Sequence, residues 1–167
     1  ALEVPVKELV KDVDDVSFCL SKALSCPVGS VLCGTREFID RANKWRKMVG
    51  GGMRQAGVLA AAGLVALDSM IDRLADDHAN ARRLAQGLAN IDGLTVDPDS
   101  IHTNIVIFEV DPSLGPSAKL IGALGAEDAK GPSPSPTAIR MVTHRHISIE
   151  DVEETLSRTS KAVRALR

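Results

Sequence analysis

The stretch FCLSKALSCPVGS, residues 18–30, places a lysine inside a turn between two short strand candidates. Val16 to Leu20 is rich in strand-forming residues, a proline and a glycine interrupt the chain after it, and Ser30 to Cys33 forms the second candidate. From such a turn Lys22 can project its amine into a cleft. Amine chemistry requires the neutral form, so a catalytic site must lower the pKa of its lysine by desolvation or by neighbouring positive charge. By spacing alone the commoner outcome, an exposed surface lysine, is favoured.

Two helices separated by glycines are predicted after this turn. Thr35 is the expected N-cap of a helix from Arg36 to Met48, and three consecutive glycines at 50–52 end it. A long helix is expected from Met53 to Leu74. Its first half is apolar on nearly every side, which predicts that this half is buried.

A candidate anion site lies where the glycines meet the long helix. Unpaired N–H groups point outward at a helix N-terminus and favour a bound anion. Arg54 is expected in the first turn, where a cation is unfavourable by up to ~1 kcal/mol unless something such as a phosphate uses it. The alternative is a flexible linker that carries a solvated arginine.

The second half of the chain alternates helices and strands, which predicts an α+β domain. The expected elements are a helix at 76–91, strands at 94–96 and 104–110, a short helix at 116–124, a Pro/Ser loop at 131–137 and a strand at 138–143. Ser148 should cap the last helix, which runs toward Arg164, with Asp151 completing a capping box.

The strand AIRMVTH, residues 138–144, holds an arginine flanked on its own face by small apolar side chains. Such an arginine can bind a carboxylate as a fork, or it can lie on an edge strand in solvent. His144 and His146 should share a strand face, but two such residues do not make a metal site. These two histidines are expected to be structural or surface residues, as are His78 and His102, and the same expectation holds for Asn104.

Composition excludes several classes of protein. The 20 basic and 22 acidic residues balance, which gives no argument for binding nucleic acid or an anionic membrane. No apolar run reaches the ~18 residues of a membrane span, and the first residues lack the apolar core of a signal peptide. Cys19, Cys26 and Cys33 suit neither a disulfide framework nor a zinc site. They are expected to be buried or half-buried thiols in a reducing compartment, which predicts a cytoplasmic protein.

Three motifs resemble segments of the L-threonine aldolases of the low-specificity, eukaryotic-like type. The lysine segment SK-x-L-x-x-PVGS is similar to that family's SKGLGAPVGS, from which it departs at Ala23, Ser25 and Cys26. Residues 44–63, KWRKMVGGGMRQAGVLAAAG, resemble the segment that follows the lysine, and R-x-V-T-H at 140–144 resembles one near the family's C-terminus. If the family's glycines need positive φ, the alanine and the serine reduce the backbone freedom of the turn.

The resemblance implies an α/β fold, that of the fold type I pyridoxal-phosphate enzymes with the aspartate-aminotransferase architecture. Residues 1–52 would be the C-terminal part of the large cofactor-binding domain. Residues 53–167 would be a linking helix and a small C-terminal α+β domain. The implied partners are a small amino-acid substrate and further copies of the chain, assembled as a dimer of dimers with active sites at subunit interfaces; no nucleic acid, membrane or metal is implied.

The same resemblance implies roles for four residues. Lys22 would bind the aldehyde of pyridoxal 5'-phosphate as a Schiff base. Arg54 and Lys47 would contribute to the environment of the cofactor's phosphate, in the active site of a neighbouring subunit. Arg140 would bind the α-carboxylate of the substrate. The implied reaction cleaves L-threonine or L-allo-threonine to glycine and acetaldehyde.

Two alternatives stay open beside this interpretation. One is another enzyme of the same fold, a β-eliminating lyase or an aminotransferase. The other is a non-catalytic, truncated remnant. The chain begins at Ala1, and the family's ring-stacking histidine, the acidic partner of the pyridine nitrogen and most phosphate ligands would precede it. Residues 1–167 alone are therefore expected to be the C-terminal half of the enzyme and to be inactive.

Overall fold

The computed structural model describes residues 1–125 and 135–167 and divides the chain into two compact units. The first unit comprises Leu2–Leu74, and the second comprises Ala75–Arg167 together with Ala1. The first four residues of the predicted Pro/Ser loop lie outside the described residues. The division of a whole enzyme into domains at residues 52 and 53 stays a prediction, because it concerns a longer protein than this chain.

The first unit contains three helices and a two-stranded antiparallel hairpin: α1 (Val6–Leu9), β1 (Val16–Cys19), β2 (Ser30–Cys33), α2 (Arg36–Met48) and α3 (Gly57–Ser69). In the hairpin Val16 lies opposite Cys33 and Cys19 lies opposite Ser30. The predicted bounds of α2 are confirmed, and Thr35 Oγ1 caps it by accepting a hydrogen bond from the Phe38 N–H at 3.3 Å. Both predicted strands are present.

The core of the first unit is small and lies between the lysine turn and one side of α3. Its buried members are Leu20, Cys26 and Ala66. The other sides of α3 are exposed, since Val58, Leu64 and Val65 retain 73%, 70% and 64% of their surface. The prediction that the first half of the long helix is buried is therefore wrong for this chain. The reason is that a two-stranded hairpin covers only one side of a helix.

The long helix also begins later than predicted. Residues 54–56 form a turn, and α3 starts at Gly57 with Ala56 as its N-cap. Gln55 has a φ of 53°, which is incompatible with a right-handed helix. Arg54 consequently precedes α3 instead of lying in its first turn.

In the described residues of the second unit, helices accompany an antiparallel sheet of three strands, as the α+β prediction requires. Its elements are α4 (Leu74–Leu88), β3 (Leu94–Thr95), a 3₁₀ turn (Pro98–Ser100), β4 (Ile105–Val110), a second 3₁₀ turn (Pro112–Leu114), α5 (Ser117–Ala123), β5 (Ala138–Val142) and α6 (Ile149–Leu166). The strand order is β3-β4-β5, with Ile107 opposite Arg140.

Alternation along β4 builds the core of the second unit. Val106, Phe108 and Val110 are buried while the residues between them are exposed. The inward side chains belong to one cluster with residues of α4 and α6. The predicted capping box of α6 is confirmed: Ser148 Oγ accepts from the Asp151 N–H at 3.2 Å, and Asp151 Oδ2 accepts from the Ser148 N–H at 2.8 Å.

All three cysteines are free thiols, as predicted, but their burial differs from the prediction. Only Cys26 is buried, whereas Cys19 and Cys33 are exposed because the hairpin has no further layer over them. Among residues 1–125 and 135–167, no helix has the length and apolar character needed to cross a membrane.

Candidate active site

The turn that carries Lys22 is closed at its base by backbone hydrogen bonds. The Leu20 N–H donates to the Gly29 carbonyl at 2.9 Å, and the Cys26 N–H donates to the Leu20 carbonyl at 3.0 Å. Within the turn, the Ser25 N–H donates to the Lys22 carbonyl at 2.8 Å. The base is buried and Lys22 is exposed, so the amine projects from a turn whose ends are held.

Ala23 and Ser25 stand where the similar SKGLGAPVGS motif has glycines, and only Ser25 has a backbone conformation that favours glycine. Ser25 has a φ of 62°, in the left-handed region, whereas Ala23 is not among the residues with positive φ. The Ser25 hydroxyl donates to the Ala23 carbonyl at 3.3 Å. The serine thus occupies a conformation that costs a non-glycine residue about 1–2 kcal/mol.

The glycine run belongs to the end of α2, and this corrects the prediction that it opens the next helix. Gly50 has a φ of 86°, and its N–H donates to the Lys47 carbonyl at 3.1 Å. The Gly51 N–H donates to the Arg46 carbonyl at 2.7 Å. These N–H groups satisfy carbonyls at the end of α2, as in common helix C-caps, and are not available to an anion. Any phosphate here would depend on side chains.

The two predicted phosphate ligands flank this glycine run. Lys47 lies in the last turn of α2, and Arg54 lies in the turn before α3; both are exposed. Within the part of the chain that the structure describes, neither side chain makes a hydrogen bond or ion pair, and the same is true of Lys22. The first unit therefore presents three side chains whose N–H donors are free: those of Lys22, Lys47 and Arg54.

Arg140 lies on β5, which is one of the two edge strands of the second unit's sheet as far as the chain is described, and its side chain is exposed. It faces away from the core, as the exposed Ile107 opposite it and the exposed Val142 two residues on do. An apolar outer face with one arginine suits a carboxylate, because the guanidinium fork pairs with it in a bidentate manner. In the described residues the Arg140 guanidinium has no protein partner. The chain by itself is therefore also consistent with the alternative prediction, an edge-strand arginine that lies in solvent.

A buried polar cluster, unrecognised in the sequence, ties the end of β5 to α4. Thr143 is almost fully buried, and its Oγ1 donates to the Asp77 carbonyl at 2.6 Å. Asn104 Nδ2 donates to the Thr143 carbonyl at 2.7 Å, which confirms a structural role for this asparagine. Asn80 Nδ2 donates to the Ile147 carbonyl at 2.9 Å. The threonine of the R-x-V-T-H motif was the available signal, but its partner on α4 is 66 positions away.

The four histidines are half-buried or exposed, and one pair is placed differently from the prediction. Because β5 ends at Val142, His144 and His146 lie in the following turn and do not share a strand face. Their rings are 5.8 Å apart, edge to face, and His144 Nδ1 accepts from the His146 N–H at 3.3 Å. Burial lowers the pKa of His78. Residues 1–125 and 135–167 contain no group of His, Cys, Asp and Glu that could hold a metal.

The donors fit pyridoxal phosphate by their chemistry: an aldehyde condenses with an amine, and a phosphate binds cations. A model of the beta-eliminating lyase family matches residues 1–111 of the chain. The chain belongs to the beta-eliminating lyase family. The match includes Lys22 and the glycine-rich segment but ends before β5.

A curated relative of this beta-eliminating lyase chain has a more specific name than the family. The Arabidopsis thaliana protein named probable low-specificity L-threonine aldolase 2 is 46% identical over 164 residues, covering 94% of this chain and 44% of that protein. This identity confirms the resemblance that the motifs indicated. The chain spans a little under half the length of that relative.

Solved structures confirm the fold type I architecture of this beta-eliminating lyase chain. A Listeria monocytogenes protein assigned as an L-allo-threonine aldolase superposes with a TM-score of 0.75 at 17% identity, covering 96% of this chain and 47% of that one. Serine palmitoyltransferase from Sphingomonas wittichii superposes with a TM-score of 0.73 at 24% identity, covering 95% of this chain and 42% of that one. Enzymes with different names share the fold, so the fold alone does not choose the reaction.

Proposed function

We propose that the protein containing this chain is a pyridoxal-phosphate-dependent lyase that cleaves L-threonine and L-allo-threonine to glycine and acetaldehyde. The observation that carries the proposal is Lys22, an exposed amine on a turn with a buried base, in a segment that resembles the aldolases' cofactor lysine. The 46% identity to a protein named as an aldolase favours this reaction over others of the same fold.

Lys22 is the proposed site of covalent attachment for the cofactor's aldehyde. When bound, pyridoxal phosphate supplies the electron sink for breaking a bond at the substrate's Cα. Arg54 and Lys47 are proposed to bind its phosphate, in a neighbouring subunit's active site. Their support is that both cations are unpaired among the described residues and flank one glycine run, in which the N–H groups of Gly50 and Gly51 are occupied by carbonyls of α2.

Arg140 is the proposed ligand of the substrate's carboxylate. Its support is its place on the outer face of the second unit's sheet, beside exposed apolar side chains that reduce the competition from water. A fixed carboxylate orients the scissile Cα–Cβ bond, and orientation of this kind is a large part of an enzyme's rate enhancement.

The proposed assembly is a dimer of dimers in the cytoplasm, with active sites at subunit interfaces. Exposed apolar side chains at the end of α2 and just beyond it support a contact with another copy: Trp45, Met48, Val49 and Met53. Contiguous exposed apolar surface is typical of interaction sites. The proposed domain organisation keeps residues 1–52 in the large domain and residues 53–167 as the linking helix and small domain.

An assay of the full-length protein with L-threonine tests this function. The proposal predicts acetaldehyde and glycine, abolished by Lys22→Ala. Arg140→Ala should raise KM, because the substrate carboxylate would lose a charge-assisted, bidentate partner, and hydrogen bonds to charged groups contribute ~1.5–3 kcal/mol. Arg82→Ala, an exposed arginine on α4, is the matched control and should leave KM unchanged.

The alternatives give different results in the same assay. Release of a keto acid from threonine would indicate a β-eliminating lyase or an aminotransferase, and no turnover by the full-length protein would indicate a non-catalytic remnant. The polypeptide of residues 1–167 should not catalyse the cleavage by itself, so robust turnover by it would contradict that part of the proposal.

A further inference from the structure

We propose that Gly63, in the middle of α3, is a positioning residue for Lys22, because its missing side chain gives Leu20 the place that holds the lysine turn. The inference rests on the proposed function of Lys22 as the cofactor-binding lysine. It concerns only residues of the first unit, whose contacts are described by the structure.

Leu20 joins the turn to the helix. Both backbone groups of Leu20 close the base of the turn, through Gly29 and Cys26, and its side chain is only 7% exposed. The side chain packs directly over Gly63: a Cβ added at Gly63 would lie 3.1 Å from Leu20 Cδ1. That contact is tighter than ordinary van der Waals packing, so Leu20 would have to shift by a few tenths of an ångström.

A second anchor holds the other end of the base against the same part of α3. The thiol of Cys26 donates to the Ala62 carbonyl at 3.4 Å, and Cys26 is 8% exposed. The two residues that close the base of the turn, Leu20 and Cys26, therefore both rest on adjacent residues of α3. A displacement of Leu20 is transmitted to Lys22, which follows it by two residues.

The low helix propensity of glycine suggests that Gly63 is present in α3 for a packing reason. A glycine inside a helix is unfavourable relative to alanine, so its presence there commonly reflects a close approach of another element. Gly57, at the start of the same helix, offers the contrast, because a Cβ added there meets nothing within 4 Å. The two glycines thus allow the same substitution with and without a clash.

The test measures how fast Lys22 captures pyridoxal phosphate in the full-length protein. The amine condenses with the aldehyde and releases water, added borohydride reduces the C=N bond to a stable secondary amine, and peptide mass spectrometry locates the label. Since a misplacement of ~1 Å can cost about 100-fold, Gly63→Ala should slow labelling of Lys22 about 3- to 10-fold. Gly57→Ala should leave the rate within about 2-fold of the parent protein, as expected without a clash.

Two further measurements separate positioning from a general loss of structure. The melting temperature of the cofactor-free protein should change little in Gly63→Ala, because the helix propensity gained with alanine offsets the cost of displacing Leu20. Leu20→Val removes Cδ1, so the Leu20→Val/Gly63→Ala double variant should label faster than Gly63→Ala alone. Such non-additivity is the signature of two residues in direct contact.

Equal labelling rates for Gly63→Ala and Gly57→Ala would overturn the positioning role while leaving the proposed function intact. A double variant slower than Gly63→Ala would overturn it too. If Lys22 of the unmodified protein captured no cofactor at all, the proposed function would fail first, and the positioning role would fail with it.

Discussion

Replacing Ser25 by glycine should stabilise the first unit, whereas the same change at Ala23 should destabilise it. Ser25 has a φ of 62°, a conformation that costs a non-glycine residue about 1–2 kcal/mol. Glycine removes that cost, but its greater freedom in the unfolded chain takes back about 0.5–1 kcal/mol. The net gain expected for Ser25→Gly is therefore about 0.5–1 kcal/mol.

Ala23 provides the matched control in the same turn. Its φ is not positive, so Ala23→Gly relieves no strain and should cost about 0.5–1 kcal/mol. The two variants should then differ by about 1–2 kcal/mol, which corresponds to a difference of about 0.5–1 M in the urea midpoint. The midpoint can be followed by the fluorescence of Trp45, the single tryptophan of residues 1–167, which lies in the same unit. Equal midpoints, or a higher midpoint for Ala23→Gly, would refute the backbone argument.

Three further predictions concern the second unit. Thr143→Val should lower its stability by about 0.5–1.5 kcal/mol, because the buried hydrogen bond from Thr143 Oγ1 to the Asp77 carbonyl is lost; thermal unfolding checks this, and a neutral effect would contradict the contribution of that hydrogen bond. Ser148→Ala should cost about 1 kcal/mol by removing the capping box, and Ser148→Asp should restore most of it. Burial lowers the pKa of His78, so the unfolded chain takes up its proton first and stability should fall as the pH drops below about 6.5. His78→Gln should flatten that decline in melting temperature, and an unchanged pH profile would exclude the histidine.

Local signals predicted much of the secondary structure. α2 and its cap Thr35 follow from a hydroxyl before an amphipathic run, and the capping box of α6 follows from Ser148 and Asp151. The strand at 104–110 was likewise predicted from its run of strand-forming residues, but only the structure shows that Val106, Phe108 and Val110 are the side chains that face the core. For both caps the determining interactions lie within a few residues of each other, so the pattern and the structure agree.

The remaining features depend on contacts that no local pattern contains. A glycine run can end one helix or open the next, and only the hydrogen bonds of Gly50 and Gly51 assign it to α2. The apolarity of α3 indicates that the helix can be buried, but not which element covers each side. Thr143 could not be recognised as a buried anchor, because its partner Asp77 is distant in the sequence.

In the candidate site, too, some features could be predicted from local motifs, whereas others depend on contacts between distant segments. Motif resemblance singled out Lys22, Lys47, Arg54 and Arg140, and the structure places each of them on an exposed surface of its unit. The anchoring of the lysine turn by Leu20 and Gly63 was not predicted, because it arises where two segments meet.

The central claim is that Lys22 is the amine that binds the cofactor. The most direct measurement is to incubate the full-length protein with pyridoxal phosphate, reduce with borohydride, and map the modified residue by peptide mass spectrometry. We expect one predominant label, on Lys22, and loss of the visible absorbance band in Lys22→Ala. A predominant label on any other lysine, or a band that persists in Lys22→Ala, would contradict it.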